Sequence, residues 1–192
     1  MITLNRKACA LTAIVSALAS GSAFAADPQG SDQGSGRVHF TGSVINAPCS
    51  IAPGDEDINV DLGQVANKVL EAGNKYSQNV NYTIHLQDCS LSAASSSSGT
   101  SYKDVSKVSV KFGGSSNANK GELLANTGGS QGVGIRLIDA NGALMKVGDT
   151  SSDVTLVNGN NDLTFAARVE ADGTDVKVGP IKGQTNYALN YK

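Results

Sequence analysis

The last stretch of the chain, residues 179–192, reads GPIKGQTNYALNYK. From Ile181 onwards small or apolar residues alternate with mostly polar ones, and the apolar set ends in Tyr187, Leu189 and Tyr191. A period of two predicts a β-strand with one buried face. We expect this strand to leave one edge without a neighbour, and the unpaired N–H and C=O groups on such an edge favour pairing with another chain.

A second alternating stretch lies near the other end of the chain. Val38, Phe40, Gly42 and Val44 alternate with polar residues directly after the run ADPQGSDQGSG at 26–36. A run this rich in Gly, Ser, Asp and Gln favours an unstructured connector. We therefore expect a strand on a flexible leader. An unfilled edge in one place and a free strand in another predict head-to-tail assembly by strand donation.

Residues 1–25 have the features of a secretory signal peptide. A basic start and an apolar run at 8–19 precede the small-x-small pattern AFA, which predicts cleavage between Ala25 and Ala26. The apolar run is shorter than the roughly 20 residues that a membrane-spanning helix needs. We therefore expect a secreted chain rather than one held by a membrane anchor.

Beyond the leader, the sequence predicts an N-terminal extension at 26–44 and one domain at 45–192. Tryptophan is absent, glycine is abundant, and the apolar runs are rich in Val and Ile. This composition is typical of short strands separated by turns, and around eight such strands with little helix indicate a β-sandwich. The formal net charge is −2, whereas a nucleic-acid-binding surface needs a basic patch.

Two Asn-Gly pairs are the clearest turn signals. The pair at 141–142 predicts a hairpin, and the pair at 158–159 predicts a turn that joins a strand around 154–156 to one at 163–169. Two further elements have weaker patterns: a short strand at 58–62 and a turn of helix within 64–74.

Two cysteines, Cys49 and Cys89, remain once the leader with Cys9 is removed. In a secreted chain, two thiols most simply form one intrachain disulfide. The alternative is a metal site, but no Cys or His cluster completes a four-coordinate set around Cys89. We predict the disulfide, and we predict no metal or other cofactor.

The run GGSQG at 128–132 matches the G-x-S-x-G pattern of serine hydrolases. That chemistry needs a strand–turn–helix context and a downstream histidine. Both histidines, His39 and His85, precede Ser130, and the run lies in a Gly/Ser-rich loop. We therefore expect no catalytic residues and no enzymatic activity.

Four internal stretches and the C-terminal strand together have a familiar pattern. The stretches are GRVHFTGSVINAPCSI at 36–51, VDLGQV at 60–65, IHLQDCS at 84–90 and GVGIRLIDANGAL at 132–144. The final strand adds Gly179 and a penultimate tyrosine. This combination resembles the structural subunits (pilins) of chaperone–usher fimbriae, in particular the type 1-like major subunit family, over essentially the whole chain beyond the leader.

The resemblance implies an all-β fold: an incomplete immunoglobulin-like β-sandwich that lacks its last strand and is completed by a donor strand from another chain. The residues that resemble the donor strand are Val38, Phe40, Gly42 and Val44. Those that resemble the acceptor groove and chaperone-binding strand are Gly179, Ile181, Tyr187, Leu189, Tyr191 and Lys192.

The resemblance also implies partners and a location. The partners would be identical or related pilin subunits, a periplasmic chaperone and an outer-membrane usher, with a host-surface receptor as a further candidate. The location would be a fimbria on the bacterial surface, reached through the periplasm and supporting adhesion. The alternative is an adaptor or adhesin subunit that binds host glycans. Main shaft and minor adaptor remain open alternatives at this point.

Overall fold

The structure is a computed structural model that describes residues 36–71, 75–92 and 104–192. The predicted signal peptide, with its cleavage point at Ala25 and Ala26, and most of the polar leader lie outside the described residues. Among those described, no helix has the length and apolar character needed to cross a membrane.

The chain divides into two units, residues 1–43 and residues 44–192. In the first unit, residues 36–43 have exposed side chains and no regular secondary structure. Val38 and Phe40 are 74% and 89% exposed. The second unit contains all the strands of the described chain and is described by itself below.

The second unit is an antiparallel β-sandwich, which confirms the predicted all-β fold. Its strands are β1 (Ser50–Ile51), β2 (Val80–Cys89), β3 (Lys107–Gly114), β4 (Leu124–Ala125), β5 (Val133–Ile138), β6 (Leu144–Met145), β7 (Val154–Thr155), β8 (Gly159–Ala171) and β9 (Thr185–Tyr191). One sheet has the order β1-β2-β8-β5-β4, with β6 paired to β5, and the other has the order β7-β3-β9. Among the described residues, the short α-helix α1 (Asn67–Glu71) lies where a turn of helix is predicted, and a 3-10 helix spans Asp55–Asp57.

The core forms where the inward faces of the two sheets meet. Val108, Val110 and Phe112 alternate along β3 and are almost completely buried. They face large apolar side chains of the other sheet, and the rings of Phe112 and Phe165 meet edge-to-face with centroids 5.0 Å apart. Each such side chain contributes about 1.5–3 kcal/mol on burial, so β3 is held firmly between its neighbours.

The two Asn-Gly turns have different outcomes. The first forms the predicted hairpin: Leu137 pairs with Met145, and Gly142 has the positive φ of +80° that suits glycine. The second turn joins β7 to β8, as predicted, but these two strands do not form a hairpin. Strand β7 pairs with β3, whereas β8 pairs with β2 and β5, so the turn at 158–159 carries the chain from one sheet to the other.

The prediction of a strand at 58–62 is wrong. Ile58 and Leu62 are half-buried and pack against the core, as the alternation suggests. However, no backbone hydrogen bond joins residues 58–65 to any other described segment. The alternation arises because one side of this segment faces the core, although no strand lies beside it.

The predicted disulfide between Cys49 and Cys89 is present. It joins the residue before β1 to the last residue of β2, and both cysteines are buried. The segment that follows residue 44 is therefore attached covalently to a central strand of the larger sheet.

A buried ion pair lies on the outer face of the larger sheet. Because Ile135 and Leu137 face the core, Arg136 between them faces away from it, yet its side chain is only 3% exposed. Its Nε and Nη2 donate hydrogen bonds of 3.1 Å to the carboxylate of Glu170, which Lys120 also contacts at 2.5 Å. Burial alone would raise the pKa of Glu170, but these cationic donors outweigh it and hold the pKa at about 2.

Acidification should therefore destabilise the fold in a way that depends on Glu170. The folded-state pKa of about 2 lies below the ordinary value of 4.5, so this stabilisation is fully present above pH 4.5 and is lost as the pH falls towards 2. Thermal unfolding of assembled protein between pH 7 and pH 2.5 should show a steeper decline of Tm for the wild type than for Glu170→Gln. Parallel declines would contradict this role of the carboxylate.

Candidate strand-binding groove

An open groove of about 1540 Å³ lies within the sandwich. Its apolar floor is made of side chains from both sheets: Tyr82, Ile84, Phe112, Leu124, Ile135, Leu137 and Ala167. Every second side chain of β2, β3 and β5 points into the sandwich, so the floor residues of these strands lie on one surface. A continuous apolar floor that is open to solvent is the kind of feature that binds another polypeptide.

Two segments of the chain form the sides of the groove. The first rim is residues 56–65, which begin within the 3-10 helix Asp55–Asp57. The second rim is residues 179–187, which lead into β9 and include its first residues. Leu62 and Val65 of the first rim pack with Ile181 against one small cluster, whereas Tyr187 contacts Asp55. The two rims therefore run antiparallel.

Both rims offer an unpaired backbone edge to the groove. The first rim makes no backbone hydrogen bond to another described segment. On the second rim, β9 is the edge strand of its sheet and pairs only with β3. Ahead of β9, the carbonyls of Pro180 and Lys182 accept hydrogen bonds from Ser130 and Thr127, which lie on the side of the rim away from the groove. A strand laid along the floor would meet free N–H and C=O groups.

Two glycines allow the second rim to lie close to its neighbours. A Cβ at Gly179 would come within 2.6 Å of the backbone of Gly129 and Ser130, so only glycine fits there. A Cβ at Gly183 would meet Cδ1 of Ile135 at 2.5 Å. The lack of a side chain at Gly183 keeps the rim against the floor and leaves the groove clear.

The charge along the groove is uneven. Glu56, Asp57 and Asp61 lie on the first rim, and Lys182 lies on the second. Asp55 and Glu56 place negative charge where Tyr187 approaches the first rim. Burial raises the pKa of Tyr187, and the charges of Asp55 and Glu56 raise it further. Burial likewise raises the pKa of Tyr82 on the floor.

The predicted acceptor residues are divided between two positions. Gly179, Ile181 and Tyr187 line the groove. Leu189 and Tyr191 continue the same face of β9, but they pack against the core beyond the end of the groove. Lys192 lies at the chain terminus, where its carbonyl oxygen accepts hydrogen bonds from Ser106 and Lys107.

The sequence does not mark the first rim as a side of the groove. Its one signal is the alternation at 58–62, which is equally the pattern of an ordinary strand. Among the donor residues, Val44 and its neighbour Ile45 are exposed, as are Val38 and Phe40. Gly42 has no atom within 4 Å of the position its Cβ would take.

Ser130, the residue in the hydrolase-like pattern, has a structural role. Its hydroxyl lies 2.7 Å from the amide nitrogen of Asn126, which donates to it, and it donates in turn to the carbonyl of Pro180 at 3.2 Å. These bonds attach the second rim to the loop at 126–131. Among the described residues, no group of three or more His, Cys, Asp or Glu side chains is placed to hold a metal ion.

Comparisons with known proteins agree with this architecture. The model of the fimbrial protein family matches residues 38–192. An uncharacterised fimbrial-like protein of Escherichia coli (strain K12), YgiL, is 41% identical, and the match covers 84% of this chain and 87% of that protein. The major MR/P fimbria protein of Proteus mirabilis (strain HI4320) is 34% identical, with 98% of this chain and 99% of that protein covered.

Solved structures of similar proteins support the same fold and family. A subunit in the structure of a chaperone–usher pilus is 31% identical and superimposes with a TM-score of 0.69, covering 83% of this chain and 97% of that subunit. The fold is therefore an incomplete immunoglobulin-like sandwich that lacks a strand, as in chaperone–usher pilins.

The chain belongs to the fimbrial protein family. It is a structural pilin of a surface pilus that polymerises with related subunits, and it is not an enzyme.

Proposed function

We propose that this pilin polymerises head-to-tail by donor-strand exchange, with residues 37–44 of one subunit lying in the groove of the next. The open apolar groove between two unpaired rims is the observation that supports this most directly. The donor face would be Val38, Phe40, Gly42 and Val44. Because donor and groove are different surfaces, the contact is heterologous and does not close into a ring, so repetition gives a fibre.

The dimensions and the energetics are consistent with this assembly. A strand of residues 38–44 spans about 20 Å at roughly 3.3 Å per residue, comparable to the second rim at 179–187. Burial of the Phe40, Val38 and Val44 side chains would contribute about 1.5–3 kcal/mol each. Hydrogen bonds to both rims would add to this, through the rim groups that have no partner within the described residues.

Before assembly, the same groove needs a temporary occupant. An exposed apolar floor bordered by two open edges is an aggregation hazard. We propose that a periplasmic chaperone covers the groove and the strand β9 after removal of the signal peptide at Ala25, and that an outer-membrane usher exchanges the chaperone for the next subunit. Within the finished fimbria, the subunit would support adhesion as part of the fibre.

Removal of the extension should separate folding from polymerisation. A chain lacking residues 26–44 should form no fibres and should unfold at a lower temperature than the same chain supplied with a peptide of residues 37–45. A ligand present at 100 times its Kd stabilises its partner by about 2.7 kcal/mol, which a thermal scan detects readily. A peptide of the same composition with the alternation scrambled is the control. A truncated chain that folds cooperatively as a stable monomer and gains nothing from the peptide would refute donor-strand exchange.

A further inference from the structure

A side-chain hydrogen bond crosses from one rim of the groove to the other. The hydroxyl of Tyr187 donates to the backbone carbonyl of Asp55 at 2.8 Å. Tyr187 is the last groove-lining residue of the second rim, and Asp55 directly precedes the first rim. The bond therefore connects the two rims at one end of the groove.

The Asp55 side of this connection is itself anchored to the larger sheet. Its carboxylate accepts a hydrogen bond from the backbone N–H of His85 and lies 2.8 Å from the ring Nδ1 of the same residue. Because an ionised carboxylate only accepts hydrogen bonds, the ring nitrogen donates. His85 lies on β2, next to Ile84 of the groove floor. The carbonyl that Tyr187 contacts is thus held in place relative to the floor.

The groove ends where this connection lies. Leu189 and Tyr191 are on the same face of β9 as Tyr187, but neither lines the groove. Both are partly buried and pack against the core, as Tyr187 does. Tyr187 is therefore the last residue of the second rim that lines the groove.

Two contributions bear on the register of the donor strand. A slip of one residue would turn the apolar face to solvent. A slip of two residues would keep that face on the floor, but it would take Val38 or Val44 out of the groove and move Phe40 to a neighbouring position. Apolar burial therefore disfavours such a slip, and a fixed point at one end of the groove adds to that preference.

We propose that Tyr187 is a positioning residue for strand donation: its hydrogen bond to Asp55 joins the two rims at one end of the groove and adds to the register preference of the inserted strand. This inference rests on the proposed function of the groove. The occupant is residues 37–44 of a second copy of this chain. The bond contributes by keeping the rims together at a fixed point, so that the donor strand stops there.

The register can be measured by disulfide cross-linking in fibres of the full chain. Thr41 lies on the polar face of the donor strand, and three polar positions on the second rim, Lys182, Gln184 and Asn186, are exposed and two residues apart. Cysteine at position 41 is combined with cysteine at one rim position at a time. Directly opposed residues in a sheet have Cβ atoms close enough for a disulfide, whereas those two residues away do not. Covalent oligomers on a non-reducing gel then report which rim residue lies opposite Thr41.

In otherwise wild-type fibres, one of the three pairs should dominate. Tyr187→Phe keeps the ring and removes the hydroxyl, so the ratio of the dominant pair to its neighbour should fall by roughly 2- to 12-fold, the range expected from one hydrogen bond. Tyr191→Phe is the matched control: it makes the same change on the same face of β9, at a hydroxyl with no hydrogen-bond partner within the described chain. It should leave the ratio unchanged.

The outcomes separate the two proposals. An unchanged ratio in Tyr187→Phe, or an equal fall in both variants, would overturn the positioning role while leaving donor-strand exchange intact. Fibres in which none of the three pairs forms in the wild-type background would instead count against residues 37–44 lying beside the second rim, and so against the proposed function itself.

Discussion

Phe40→Asp should abolish fibre formation while leaving the subunit folded in complex with the chaperone that we propose. The substitution removes the largest apolar side chain of the proposed donor strand, worth about 1.5–3 kcal/mol on burial. It also places a carboxylate on a floor made of apolar side chains, which costs several kcal/mol more. Electron microscopy of cells and a pull-down of the chaperone complex would measure the two parts of the result.

The matched control for this experiment is His39→Asp. His39 precedes Phe40 directly, so it lies on the opposite face of the strand. The same new charge would then remain in water, and fibres should form in normal number. Normal fibres from Phe40→Asp, or equal loss from both variants, would contradict the assignment of Val38, Phe40 and Val44 as the buried face.

Removal of the disulfide should have the second large effect. Cys49 and Cys89 are 40 residues apart in sequence, and on the chain-entropy estimate a loop of that size stabilises the folded state by about 4 kcal/mol. The double variant Cys49→Ala/Cys89→Ala should therefore give a much lower yield of periplasmic subunit and a lower unfolding temperature when assembled. Cys49→Ser alone should also lower the yield.

The control for the disulfide is chemical. Wild-type subunit reduced with a thiol and then blocked should resemble the double variant in its unfolding temperature, and reduction should not change the double variant. Unchanged yield and unchanged fibres in the double variant would show that the bridge has no role in folding.

Several elements could be predicted from the sequence because their signals are local and strong. The alternation at 80–89 and the hairpin around Asn141 are examples, and both are present in the structure. The cysteine pairing followed from the secreted context, because only Cys49 and Cys89 remain beyond the leader. In each case the pattern specifies the structure without knowledge of distant contacts.

The features that could not be predicted have a common physical origin. Alternation at 58–62 reports that one face is buried, but it does not report whether a neighbouring strand supplies hydrogen bonds. Asn-Gly at 158–159 predicts the turn between two strands, while long-range packing decides that β7 and β8 belong to different sheets. The contact between Tyr187 and Asp55 joins residues that are far apart in sequence, so no local pattern predicts it.

The bridge between Cys49 and Cys89 also has a mechanical consequence. The N-terminal extension at 26–44 ends only a few residues before Cys49 in the sequence. When a fibre is stretched, tension on this extension would reach the disulfide before it reaches β1, which is only two residues long. The disulfide would then pass the force to β2 and, through the hydrogen bonds of β2, to the rest of the larger sheet. The hydrogen bonds of β1 would not have to break one after another. Each subunit would resist shear across many hydrogen bonds at once.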